Sequence, residues 1–199
     1  MTGIDAAKHL TKWRSSRGEL KRSYEELLQL LNEDSSTQDL LHGYLRAKRL
    51  SAQAFQSLML ASIPDHRAAW EAVRKSVGHA LVARYSGLLP EWALRVPYGS
   101  DTHRTLFCLL AEWRGEPVSA DYLRVVAADA VHAERRVREL REIGLNVVAA
   151  KAHGYDSYTL TSFDVNLAVA QTIAVNHIRA NKALPDRESK RLQDVAKSN

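Results

Sequence analysis

The sequence predicts a mainly α protein with one small β element: an all-helical N-terminal half, then three short helices, a β-hairpin and a long helix. Three observations predict it. Gly and Pro are sparse, nine and five among 199 residues, and the rest is rich in good helix formers. Apolar residues recur at three- and four-residue spacing along most of the chain. Only after about residue 144 does the apolar period change to two. With 45% hydrophobic residues, the chain has enough apolar material for one core or two small ones.

In the first half, residues 4–31 read as one long helix, or two meeting near Gly18. Leu20, Tyr24, Leu27, Leu28 and Leu31 keep helical spacing there. Residues 32–36 are a polar break. A second helix is expected over 37–49, burying Leu40, Leu41, Tyr44 and Leu45, and Ser51 is placed to cap a third through Phe55, Leu58 and Met59. A fourth begins at Pro64-Asp65, carries Trp70, Val73, Val77, Leu81 and Tyr85, and stops at Gly87. Pro90, Pro97 and Gly99 mark 88–101 as the seam, with Trp92, Leu94 and Val96 packing it down. The expected division is an all-helical domain over 1–98, a second domain over 99–183 and a polar, disordered tail over 184–199.

After the seam, Asp101 or Thr102 caps a helix to about Arg114, stopped by Gly115-Glu116-Pro117. Val118 makes a short extended contact. Ser119 caps a second helix over 120–126, and a third spans 130–143 with Gly144 as its C′ residue. Leu145, Val147 and Ala149 then alternate with their neighbours, residues 153–156 form a turn, and 157–161 return as a strand. Asp164 is expected to cap a helix over 165–182 whose apolar residues surround most of its circumference, so it must be buried.

The order helix, strand, helix, turn, helix, hairpin over residues 101–162 resembles the winged helix-turn-helix domains of bacterial and phage DNA-binding proteins, above all those attached to restriction-type proteins. The resemblance rests on 104–106 (Arg-Thr-Leu), on the run 110–119 from Leu-Ala-Glu-Trp-Arg-Gly to Val-Ser, on 131–144 and on the wing 154–160. It implies recognition of double-stranded DNA by the third helix. On that helix Ala133, Val137, Leu140 and Ile143 face the core. His132, Arg135, Arg136 and Glu139 fall on the other side, with Arg138 and Arg141 flanking. His132, Arg135 and Arg136 are the expected base readers. Ser119, Arg138, Lys151 and His153 are expected at phosphates. A solvated face is the competing reading, because Glu134 and Arg138, and Glu142 with Arg138 or Arg141, stand at ion-pair spacing.

The net charge is +5, yet residues 101–182 carry ten basic and ten acidic side chains, against fourteen and ten in residues 1–100. Two readings stay open for the first helix: a solvated basic face, which the pattern favours, and phosphate-driven affinity supplied through Lys12, Arg14 and Arg17. The buried 165–182 helix, or the N-terminal helices, are expected to support a homodimer.

Cys108 lies in an apolar run and is expected to be a buried thiol. No apolar signal segment or membrane-length run is seen, so a soluble cytoplasmic protein is expected. No phosphate loop, dinucleotide fingerprint, metal motif or nucleophile elbow is present, so neither enzyme activity nor a cofactor is expected. Three functions remain open: a sequence-specific transcriptional regulator, a non-catalytic DNA-recognition subunit of a restriction, defence or mobile-element system, and an interaction module without DNA binding.

Overall fold

The computed structural model describes residues 6–128, 132–152 and 154–198. The chain is mainly helical, with one three-stranded antiparallel sheet. It separates into two compact units: Met1–Asp65 with Asp121–Ala133, and His66–Ala120 with Glu134–Asn199.

The first unit is a helical hairpin joined by a short helix. Helix α1 (Ala6–Asn32) runs without a break at Gly18, and α2 (Thr37–Ser62) runs through the expected stop at Arg49. Ser51 does not cap a new helix; its hydroxyl donates back to the Ala47 carbonyl from mid-helix. Ser36 caps α2, accepting from the Asp39 N–H. The two long helices run antiparallel, tied by Glu26 to Arg46 on one flank and by Tyr24 to Ser51 on the other. Small residues of α2 let it lie against α1, where Leu20 is buried too. Ala47, Ala54, Ser23 and Ser57 are buried, and a Cβ on Gly43 would meet Leu30 at 2.7 Å. In this unit the short helix α5 (Ala120–Val126) is tied to α2 by Gln56, whose side-chain amide donates to the Val126 carbonyl.

The second unit contains α3 (Arg67–Tyr85), a 3-10 turn (Glu91–Leu94), α4 (Asp101–Glu112), β1 (Val118–Ser119), α6 (Ala133–Glu142), β2 (Leu145–Ala152), β3 (Tyr155–Val165), α7 (Val169–Ala180) and α8 (Asp186–Ser198). The sheet order is β1-β3-β2. Val118 pairs with Tyr158, and Val147 with Leu160. Trp70 of α3 packs on Phe107 of α4, and Phe107 on Phe163 of β3. A second apolar cluster joins Val77, Leu81 and Tyr85 of α3 to Ile173, Ala174 and Ile178 of α7 and to Leu192 and Ala196 of α8.

Several expectations are corrected. The polar tail is the amphipathic helix α8: Leu192 and Ala196 are buried, and Tyr85 donates to the Ala196 carbonyl. Its apolar residues are few, but they fall on one side. Strand β3 continues to Val165, so Asp164 is not a cap; Asn166 makes the turn by accepting from the Ala168 N–H. The apolar faces of α7 are covered by α3 and α8, not by a second subunit. Residues 88–101 run inside the second unit. Cys108 is buried and forms no disulfide.

Candidate nucleic-acid interface

Helix α6 holds its place by its apolar stripe. Ala133, Val137, Leu140 and Ile143 are each at most 1% exposed. Gly144 has φ +94, and a Cβ there would meet the Asn166 carbonyl at 2.7 Å. Only glycine meets both demands, which explains why the helix stops and turns directly into β2.

The opposite side of α6 departs from the expected solvated face at one residue. Glu139 is 4% exposed. Its carboxylate receives three side chains: His103 of α4 at 2.8 Å, Arg136 Nη1 at 2.9 Å and Arg135 Nε at 3.1 Å. His103, 3% exposed, is held at its other ring nitrogen by the Ser100 hydroxyl at 2.6 Å. A carboxylate only accepts, so the ring Nε2–H of His103 donates to Glu139. Burial alone would push the Glu139 carboxyl up. The hydrogen bonds from His103 and Arg136 and the Arg136 charge outweigh it, and its pKa lies below the ordinary value.

A second brace comes from residue 98. Arg74 of α3 donates to the Pro97 and Val96 carbonyls and lies over the Trp70 ring. Desolvation lowers its pKa. This grip fixes the segment in which Tyr98 adopts φ 57 and donates its hydroxyl to Glu142. Burial first, and the Glu142 carboxylate next, push the Tyr98 phenol up to about 12. Glu142 is thereby taken by Tyr98, and among the described residues no ion pair joins it to Arg138 or Arg141.

What remains outward is cationic. The side chains of Arg135 and Arg136 are 64% and 45% exposed. Arg138 and Arg141 are exposed as well, and among the described residues no carboxylate pairs with either. One carboxylate serves two guanidiniums, so the cluster keeps a positive charge.

The other expected site residues fall as follows. His132 is exposed but lies outside the helix: α6 begins at Ala133, and His132 sits in the left-handed region at φ 71, which a continuing helix does not allow. The start expected at 130 lies outside the described residues, as does His153. Lys151 is exposed on β2, its backbone opposite Asp156. Ser119 is half-buried at the end of β1 and belongs to the second unit. Lys12, Arg14 and Arg17 are exposed on α1 in the first unit. Sequence reasoning missed Ser100, His103 and Tyr98. Periodicity along one helix carries no signal for a partner on another.

Residues 104–162 match a family described as the KpnI N-terminal domain, which is associated with restriction enzymes. The match runs from α4 through β3 in a chain of 199 residues. No curated protein matches the chain significantly. No solved structure does either. Among the described residues no helix is long and apolar enough to cross a membrane.

Proposed function

We propose that the chain is a non-catalytic DNA-recognition protein of a restriction-type system, in which residues 101–165 act as a winged helix-turn-helix and α6 enters the major groove of duplex DNA. The observation that carries this reading is the braced, exposed arginine face of α6. Arg135 and Arg136 are anchored on a buried carboxylate, so less side-chain freedom is lost on binding. Arg135 uses Nε for Glu139, which leaves its two Nη groups to donate in parallel to guanine O6 and N7, at ~1–3 kcal/mol of discrimination. Arg136, Arg138, Arg141 and Lys151 hold phosphates and set register. The sheet order β1-β3-β2, a short first strand paired to a β2–β3 hairpin that follows α6 in the chain, supports the winged reading. The restriction association of the 104–162 match favours this role over a transcriptional regulator.

Selection of bound sequences from random duplexes, at several salt concentrations, tests the proposal. Arg135→Ala should relax preference at one base position, whereas Arg138→Ala should weaken all duplexes alike and reduce the salt slope by about one. Absence of binding to any duplex at low salt sinks the reading and leaves an interaction module. Cleavage of DNA by the purified chain with magnesium ions would overturn its non-catalytic part.

A further inference from the structure

The hairpin of the first unit leaves a face uncovered. Along α1, residues 14, 17, 21, 24, 28 and 31 follow three-four spacing and share one side. Arg14, Arg17 and Lys21 occupy the half near the open end. Tyr24, Leu28 and Leu31 occupy the half near the turn. Along α2, Leu41, Tyr44, Lys48, Ser51 and Phe55 repeat the spacing. The Tyr24–Ser51 hydrogen bond places the two stripes on the same flank of the hairpin. The flank tied by Glu26 and Arg46 is the other one.

The uncovered apolar area is large. Leu28 and Leu31 are 58% and 62% exposed, and Tyr24, Leu41 and Tyr44 range from 45% to 52%. Together they leave roughly 500 Å² exposed, a large share of the ~800 Å² per partner of a standard stable interface. Isolated exposed leucines are common, but a contiguous patch of this size marks an interaction site.

Charge is segregated along α1 and the turn that follows it, while the rest of α2 adds Arg46, Lys48 and Arg49 beside the middle of α1. Residues 6–22 carry Lys8, Lys12, Arg14, Arg17, Lys21 and Arg22 against Glu19 alone. Residues 23–41 carry Glu25, Glu26, Glu33, Asp34 and Asp39 and no basic residue. We propose that the flank formed by Tyr24, Leu28, Leu31, Leu41 and Tyr44, toward the turn end of the hairpin, is covered by the same flank of a second copy of this chain, packed antiparallel as a four-helix bundle. A two-fold axis at the level of Leu28 stacks the two apolar halves. Helix rise then brings residue 34 of one copy to the level of residue 22 of the other. The acidic turn of each hairpin thus comes beside Lys21, and next Arg17, of its mate. A parallel arrangement would set like charges against each other. The interface is isologous, as two-fold symmetry requires, and it stands independently of whether α6 reads DNA.

Sedimentation equilibrium of the full chain over a wide concentration range tests the proposal, with circular dichroism as the check on folding. The expected result is a shift from the 22.3 kDa monomer to twice that mass. Leu28→Lys with Leu31→Lys alters side chains already in water, and should keep the helical spectrum but hold the chain monomeric. Glu33→Lys with Asp34→Lys should raise the dissociation constant about tenfold, or ~1.4 kcal/mol. Adding Arg17→Glu and Lys21→Glu should restore it. A wild-type chain that stays monomeric at all concentrations overturns the proposal, as does a dimer that survives the Leu28/Leu31 pair. Tighter association after Glu33→Lys and Asp34→Lys alone would overturn the antiparallel arrangement. An intact dimer without DNA binding counts against the DNA reading only.

Discussion

The two units start from the same material, helices with an apolar stripe, and finish it differently. In the second unit α7 sends Ile173, Ala174 and Ile178 into a cluster closed by α3 and α8, and Trp70, Leu81, Tyr85 and Phe107 are essentially without solvent contact. In the first unit the small residues Gly43, Ala47, Ala54 and Ser57 of α2 are at the contact, Gly43 lying against the Leu27 and Leu30 side chains, while Tyr24, Leu28, Leu31, Leu41 and Tyr44 stand on the flank in water. Small residues on one helix let the other approach closely and leave the flanking leucines and tyrosines outside the seam. The difference teaches that a stripe announces a face to be covered, while residue size at the contact decides which face closes first.

The contrast breaks or holds on measured stability. Phe107→Ala should cost ~3–5 kcal/mol, because the cavity opens between Trp70 and Phe163. Leu31→Ala, in protein dilute enough to be monomeric, should stay within ~0.5 kcal/mol. Urea unfolding that gave the two similar losses would remove the distinction between a closed and an open unit.

Glu139→Gln should come next, at ~2–3 kcal/mol, since it strips the charge from a buried site that holds His103 and two guanidiniums. Arg135→Ala should cost under ~1 kcal/mol, because that side chain is mostly in water. A reversal of this order would mean that the brace works from the arginine side.

Tyr85→Phe should cost ~1 kcal/mol and act locally. The lost bond ends on the Ala196 carbonyl, so amide exchange should accelerate in α8 before α3. The smallest effect is an acid limb. The Glu139 pKa is depressed in the folded protein, so its contribution is fully present above the ordinary glutamate value of ~4.3 and is lost as pH falls through the lower folded value. Urea midpoints measured down the acid range should fall less steeply for Glu139→Gln than for the wild type.

Much of the site was legible one helix at a time. The inward stripe of α6, the stop at Gly144 and the change to period two at Leu145 follow from local spacing, and the structure has them where they were expected. The fate of Glu139 was not legible in this way. On a helical wheel it falls beside Arg135 and Arg136, and nothing within four residues says that a histidine on α4 will receive it. His132 was misplaced for a related reason: helical spacing extends across it, and only its backbone conformation excludes it.

By itself, then, the sequence determined most of the helical segments up to Gly144, where the hairpin follows them and which side of α6 is apolar. These depend on residues three or four apart, whose geometry is the same in any helix. The tertiary structure alone decided that α8 closes the α7 core, that Tyr98 and His103 brace α6, and that the flank of the α1–α2 hairpin stays open. Those outcomes join residues tens to more than a hundred positions apart, and such pairs are chosen by competition among all the faces the chain presents.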